Sequence, residues 1–252
     1  MSEVKLFQGD CLVEMDKLIR EGQKVDLILC DLPYGTTACK WDNIIPFEPM
    51  WECINQLVKD NAPILLFGTE PFSSHLRLSN IKNYKYDWIW IKDKGTNIFS
   101  ANKRPMKNTE IISVFYKTQP FYNPVMRKGK PYTKIQKSSM VGSHLGEGNK
   151  KASDKINETG ERFPLSTVYF ARDTAKGSSF HPTQKPVKLL EYLIKTYTKE
   201  GDLVLDFTMG SGSTGVACME TNRNFIGIEL EPKYYEIAEQ RIKEAKAQRR
   251  LI

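Results

Sequence analysis

Asp31, Leu32, Pro33 and Tyr34 follow the apolar run Val25-Asp26-Leu27-Ile28-Leu29-Cys30 and precede Gly35. A carboxylate, a proline and a ring set so closely suit attack by a weakly nucleophilic exocyclic amine. The lone pair of such an amine on adenine or cytosine is delocalised into the ring, so catalysis needs acceptors that hold both N–H groups and repyramidalise the nitrogen. Asp31 supplies one acceptor and a nearby backbone carbonyl the other. Pro33 confines Leu32 to extended backbone, which fixes where the Leu32 carbonyl points. Tyr34 offers a ring on which a base taken out of its helix could stack. The structural alternative is a plain strand-to-turn junction, with Asp31 satisfying local donors and Tyr34 packed on the edge.

An apolar run bounded by Pro and Gly reads as a buried strand, and open α/β sheets bind ligands beyond the C-terminal ends of such strands. Other stretches supply the rest of a sheet. Val4-Lys5-Leu6-Phe7 reads as a short strand ending at Gly9-Asp10-Cys11, with Leu12, Met15, Leu18 and Ile19 at helical spacing beyond it. Asp10 suits the cap of that helix. Pro46 to Val58 reads as a helix, Ile64-Leu65-Leu66-Phe67 as a buried strand, and Trp88–Ile91 and Ile111–Tyr116 as two more strands. Gly35 to Asn43, with Trp41-Asp42, is polar and turn-rich, long enough to act as a loop over a site. The stretch from Lys94 to Met106 holds Asn97, Asn102, Lys103 and Arg104 and reads as a DNA contact or a solvated connection.

A second chemistry-bearing stretch lies near the end of the chain. His181-Pro182-Thr183-Gln184-Lys185-Pro186 opens a helix to about Lys199, where the flanking prolines argue for a rigid entry and a structural His181. Leu203-Val204-Leu205-Asp206 then makes a strand, followed by Phe207-Thr208-Met209-Gly210-Ser211-Gly212-Ser213-Thr214-Gly215 and a helix. Glycines in a strand-to-helix turn let backbone approach a ligand closely. Phe225–Glu229 is the next strand, with Glu229 19 residues beyond Gly210, where a ribose diol would be held. Gly210, Gly212 and Gly215 also satisfy the dinucleotide-binding pattern, so an oxidoreductase competes at this point. Pro232 to Ala247 closes the chain as a surface helix.

The 252 residues are 40% hydrophobic with no long apolar run, which predicts one soluble domain, with or without an insertion, and no signal peptide. Cys11, Cys30, Cys39, Cys53 and Cys218 form no closely spaced pair, and the three histidines form no ligand cluster with them. A reduced cytoplasm and no metal are the expectation. The net charge of +7 is all in one segment, since Lys117 to Lys176 holds 12 Lys and Arg against 5 Asp and Glu. Tyr122, Tyr132, Phe163, Tyr169 and Phe170 interleave there with Arg127, Lys128, Lys130, Lys134 and Lys137. Basic and aromatic residues together suit phosphate contact and base or sugar packing, against the alternative of a solvated loop-rich face.

Asp31-Leu32-Pro33-Tyr34 resembles the D-P-P-Y motif of amino-methylating DNA methyltransferases of the β class. The turn after Asp206 resembles their D-P-F-x-G-S-G-T-T motif, and His181–Pro186 matches a motif bordering their methyl-donor pocket. The resemblance covers nearly the whole chain. Three motifs in family order outweigh the glycine pattern alone. It implies an α/β, Rossmann-like S-adenosylmethionine methyltransferase fold: a mainly parallel sheet with helices on both faces, permuted motif order and a basic target-recognition insert. The implied organisation is a catalytic half at residues 1–117, the insert at 118–179 and a donor-binding half at 180–252.

Carried over residue by residue, the resemblance makes Asp31, Leu32, Pro33 and Tyr34 catalytic, with the second acceptor passing to the Leu32 carbonyl. Asp10, Cys11, Thr183, Lys185, Asp206, Thr208, Gly210, Ser211, Gly212, Ser213, Thr214 and Glu229 would bind S-adenosylmethionine, and Arg127, Lys128, Lys130, Lys134 and Lys137 would contact DNA. Gly68-Thr69-Glu70-Pro71 resembles a further pocket-lining turn. Leu32 replaces a proline, Phe207 a proline and Thr208 a phenylalanine, so the ring packed against the donor is either missing or supplied by Phe207. The acid at position 31 favours adenine N6 over cytosine N4, whose enzymes more often carry Ser. The alternatives are a cytosine-N4 enzyme, an RNA substrate, or a DNA-binding protein that has lost catalysis. Double-stranded DNA is the expected partner, no membrane is involved, a homodimer would help a short chain grip the duplex, and a cognate restriction endonuclease would accompany a site-specific enzyme.

Overall fold

In the computed structural model, which describes residues 2–35, 42–134, 140–141, 148–149, 155–173 and 184–249, the apolar runs become strands buried on both faces. Two compact units result, one of Met1–Asn123 with Ser166–Ile252 and one of Pro124–Leu165.

The first unit begins with β1 (Val4–Gln8), β2 (Leu27–Asp31), β3 (Ile64–Gly68), β4 (Tyr84–Thr96) and β5 (Lys107–Phe115). The second holds three two-stranded ladders: β6 (Arg127–Lys128) with β11 (Glu161–Arg162), β7 (Tyr132–Lys134) with β10 (Lys155–Asn157), and β8 (Met140–Val141) with β9 (Gly148–Asn149). The first unit resumes with β12 (Thr167–Tyr169), β13 (Leu203–Asp206) and β14 (Asn224–Glu229). Its strands form an eight-stranded sheet in the order β1-β14-β13-β2-β3-β5-β4-β12. β5 alone among them runs antiparallel to its neighbours.

Alternation along each strand sorts side chains to two layers. Leu27 and Leu29 of β2, Val204 and Phe225 join a core with α4 (Val187–Tyr197), α5 (Ser213–Glu220) and α6 (Pro232–Arg249), introduced here after α1 (Cys11–Arg20), α2 (Phe47–Leu57) and α3 (Phe72–Ser79) of the opposite face. Ile28, Cys30, Leu205 and Ile226 join the core with α1, α2 and α3. Each fully buried aliphatic side chain contributes roughly 1.5–3 kcal/mol, which holds both helical layers on the sheet. Gly215 sits where α5 meets α6. A side chain there would place its Cβ 2.3 Å from Ile242 Cδ1, so the two helices pack closely only because it is glycine.

After β2 the chain turns to β3 on one side, while after β13 it turns to β14 on the other. The two strands are hydrogen-bonded neighbours, so the crevice at their C-terminal ends is a topological switch point. Asp31 and Asp206 are the last residues of these strands.

Three features depart from expectation. The compact second unit is narrower than 118–179: Thr118 Oγ1 donates to Asp60 O, Asn123 N donates to Thr196 O, and β12 pairs with β4, all within the first unit. α3 carries no strong helical pattern in sequence, being an eight-residue segment with three serines and a histidine. β4 is 13 residues long rather than four, because it already begins at Tyr84 and beyond Ile91 continues past a bulge to Thr96. Among the described residues, no helix is long and apolar enough to cross a membrane.

Candidate active site

The C-terminal edge of the first unit's sheet opens onto a cavity of about 400 Å³. That volume falls within the ~300–1,000 Å³ usual for small-molecule sites. Its walls come from the turns after β1, β2, β13 and β14, from Glu110 of β5 and from Gln184 and Lys185 ahead of α4.

Asp31 stands on one wall with both oxygens engaged. Tyr34 donates its hydroxyl to Oδ1 at 2.6 Å, and the Lys185 ammonium donates to Oδ2. Lys185 is 6% exposed, with Glu110 Oε2 3.8 Å away on the other side. Burial alone would lower the lysine's pKa, but Asp31 and Glu110 outweigh it and hold it above the ordinary value. Burial, Asp31 and Glu110 likewise push the Tyr34 phenol well up, so it remains a donor. The backbone around it is clamped: Tyr34 N and Gly35 N both donate to Asp42 Oδ1, at 2.8 and 2.9 Å. The Tyr34 ring leans on Phe72 with centroids 5.2 Å apart while also lining the cavity. The Leu32 side chain is buried in the α1–α3 layer, which leaves its role to the backbone.

The opposite wall is the glycine turn. Gly210 (φ 53°) and Gly212 (φ 78°) adopt left-handed backbone, and a Cβ on Gly212 would lie 2.8 Å from Ala238 Cβ. Gly210 N donates to Glu229 Oε2 at 2.8 Å and Glu231 N to Oε1 at 2.9 Å, fixing a carboxylate whose pKa burial raises. Arg241 of α6 donates through Nη1 to Ser211 O and Oγ, tying the turn from behind. Asp206 is 3% exposed and accepts from Thr214 Oγ1 at 2.6 Å and Thr208 N at 3.1 Å, yet burial moves its pKa up to about 7. Thr208 Oγ1 donates to Asp31 O at 3.1 Å, so the two walls are bonded directly. Asp10 caps α1, accepting from Leu12 N and Val13 N, and also lines the cavity. Burial next to Asp10 pushes the Cys11 thiol up to about 12.

A glycine cradle, two acids (Asp10 and Glu229) and apolar Phe207, Met209 and Leu230 fit a nucleoside-bearing cation with Asp31 beside it. A family model for N6/N4 DNA methyltransferases, described as DNA methylase, matches residues 25–240. The chain belongs to the DNA methylase family. This methylase is 40% identical over 161 residues to the Type II methyltransferase M2.DpnII of Streptococcus pneumoniae, across 61% of its own length and 59% of that relative's. It is 24% identical over 258 residues to M2.MboI of Moraxella bovis, across 95% and 87%. Its fold matches the crystal structure of the M1.HpyAVI–SAM complex with a TM-score of 0.65 at 24% identity, covering 94% of this chain and 99% of that one. It also matches the cytosine-N4-specific PvuII DNA methyltransferase with a TM-score of 0.64 at 16% identity, over 98% and 93%. The fold is the Rossmann-like methyltransferase fold.

The methylase gathers most of the residues named from the sequence. Asp31 to Tyr34, Asp10, Cys11, Lys185, Asp206, Thr208, Gly210, Ser211, Ser213, Thr214 and Glu229 all line the one cavity, with Gly212 capping α5 within the turn. Lys185 lies on Asp31 rather than on the glycine turn. Phe207 is 1% exposed, packed in the α1–α3 layer while also lining the cavity. The Gly68–Pro71 turn does not line the cavity, since α3 closes over it: a Cβ on Gly68 would lie 2.5 Å from Ser73 Oγ. Arg127, Lys128 and Lys130 are exposed in the second unit, with Arg127 Nε donating to Phe163 O. Lys134 belongs to β7, whereas Lys137, Thr183, His181, Trp41 and Cys39 lie outside the described residues.

Sequence reasoning missed Glu110 and Arg241, and named Asp42 and Gln184 only as members of a loop and a motif, without a role. Glu110 carried a signal, a lone acid shortly before the apolar run Ile111–Phe115. Asp42 and Arg241 act through turn geometry and helix docking that no local pattern reveals. Among the described residues no group of three His, Cys, Asp or Glu could hold a metal ion.

Proposed function

We propose that this DNA methylase moves a methyl group from S-adenosylmethionine to N6 of an adenine flipped out of duplex DNA. The observation that carries the reading is the meeting of Asp31, the Gly210–Ser213 turn and Glu229 in one cavity, with Lys185 and Tyr34 fixing the acid. Bound S-adenosylmethionine supplies an electrophilic methyl group on a sulfonium.

The chain's own residues do the rest. Glu229, pinned by two backbone amides, receives the ribose hydroxyls, and the glycine turn leaves its backbone bare for close approach. Asp31 takes one amino N–H of the base and the Leu32 carbonyl the other, drawing the nitrogen's lone pair out of the ring. Tyr34 and Lys185 hold Asp31 so that no reorganisation is needed when the amine arrives. After transfer the surplus proton of the methylated amine passes to an Asp31 oxygen. Arg127, Lys128, Lys130, Lys134 and Lys137 contact phosphates, which sets register rather than sequence. The acid at position 31 favours adenine. The setting is cytoplasmic, with a cognate restriction endonuclease reading the same site and a second copy of the chain helping to grip the duplex.

The test is incubation of purified protein with S-adenosylmethionine and unmodified genomic DNA, followed by digestion to nucleosides and mass spectrometry. N6-methyladenine is expected. N4-methylcytosine overturns the choice of base and keeps the mechanism, while intact donor binding with no methylated base overturns DNA as substrate.

A further inference from the structure

The hairpin of β4 and β5 carries an aromatic side chain that is fully exposed. Phe99 is 102% exposed relative to a free residue, and Ile98 beside it 62%. Phe99, Ile98 and Met106 are all exposed at this one tip, and an apolar patch rimmed by polar residues marks an interaction site. The tip that presents it is ordered. Asn97 takes a left-handed conformation (φ 68°), Ile98–Ser100 forms a 3-10 turn, and Lys103 N and Arg104 N both donate to Ser100 O. Gly95 lets the strands cross closely, since a Cβ there would lie 2.8 Å from Met106 Cβ. Thr96 Oγ1 closes the neck by donating to Lys107 O.

Charge and placement say what the tip meets. Lys94, Lys103 and Arg104 are exposed around it and have no carboxylate ion pair among the described residues. The acid of the neck, Asp93, is already paired with Arg172. Because β4 runs parallel to β2 and β3, its far end leaves the sheet at the edge where Asp31 sits, and Glu110 of the same hairpin lines the cavity. A base entering that cavity therefore comes from a strand lying across this edge, within a basic surface.

Resting on the base-flipping reading above, we infer that the 97–106 tip is a DNA-contacting wedge: Phe99 packs against a base step of the duplex beside the extruded base, with Lys103 and Arg104 on flanking phosphates. Apolar side chains inserted between base steps unstack them, and an ordered aromatic does so with little entropy to lose.

The test compares wild type, Phe99→Ala and Phe99→Trp on a duplex bearing a target site mapped from methylated genomic DNA, and on the same duplex with an abasic site opposite the target base. S-adenosylmethionine affinity is measured alongside as a check on folding. On the paired duplex, Phe99→Ala should lose about tenfold in DNA affinity and in kcat/KM, within the range of one aromatic–base contact. Phe99→Trp should keep both, and on the abasic duplex the loss should shrink below about threefold, since no pair has to be broken. Lys103→Ala/Arg104→Ala should flatten the salt dependence of binding. An active Phe99→Ala equal to wild type on both duplexes overturns the wedge and leaves the proposed function standing. The wedge is also overturned if Phe99→Ala converts a dimer to a monomer in sedimentation while each protomer binds DNA unchanged, because the surface then belongs to a second copy. A wild type that binds DNA through Phe99 but methylates nothing keeps the wedge and overturns the function, and one that does neither overturns both.

Discussion

The turns that end β2 and β13 both start from an aspartate, yet the two acids are answered differently. Asp31 keeps 24% of its side chain exposed and is met by an ammonium and a phenol, whereas Asp206 is 3% exposed and is met by the neutral donors of Thr214, Thr208 and Cys30. Neutral donors do not compensate a buried charge, which is why the Asp206 carboxyl rises to about 7. The difference teaches that one acid is built to meet a ligand and the other to hold a turn. Asp31, held by Tyr34 and Lys185, faces the cavity, while Asp206 accepts from Thr208 and Thr214 from inside.

The sharpest break in this symmetry is chemical. Asp31→Ala should cut methyl transfer by about 10²–10⁴-fold, measured by incorporation of labelled methyl groups into DNA, because the acceptor and proton sink are both lost. Asp206 should instead appear in stability. Its pKa rises from 3.8 unfolded to about 7 folded, so between these values the folded state binds the extra proton. The stabilisation is fully present below about pH 4 and is lost as pH climbs through 7, by about 4 kcal/mol at most. Urea midpoints of wild type should therefore fall relative to those of Asp206→Asn between pH 5 and pH 8, and parallel curves would remove the linkage. The smallest effect concerns the bond joining the turns. Thr208→Val, which loses the 3.1 Å bond to Asp31 O, should cost about 0.5–1.5 kcal/mol by chemical denaturation.

Much of this contrast was legible in sequence and some was not. The strands β2, β13 and β14 announced themselves because runs buried on both faces are continuously apolar, and the glycines at 210 and 212 marked a turn open to close ligand approach. Lys185 could be placed at the site but not on Asp31, since that contact spans 154 positions and depends on how α4 docks. Phe207 shows the limit from the other direction. A ring next to the glycine turn reads as a ligand contact, yet Phe207 both lines the cavity and packs in the α1–α3 layer, a sharing that only the tertiary structure reveals. The β4–β5 tip read equally as loop or contact, because exposure of Phe99 is a tertiary fact.

The central claim is a division of labour between the two walls, and donor titration tests it most directly. S-adenosylmethionine should bind Asp31→Ala within about threefold of wild type, while Glu229→Ala should lose about tenfold or more, the scale of a charged hydrogen bond. If Asp31→Ala loses donor affinity as severely as Glu229→Ala, the walls do not divide the work, and the account of Asp31 as the acceptor for the amine is contradicted.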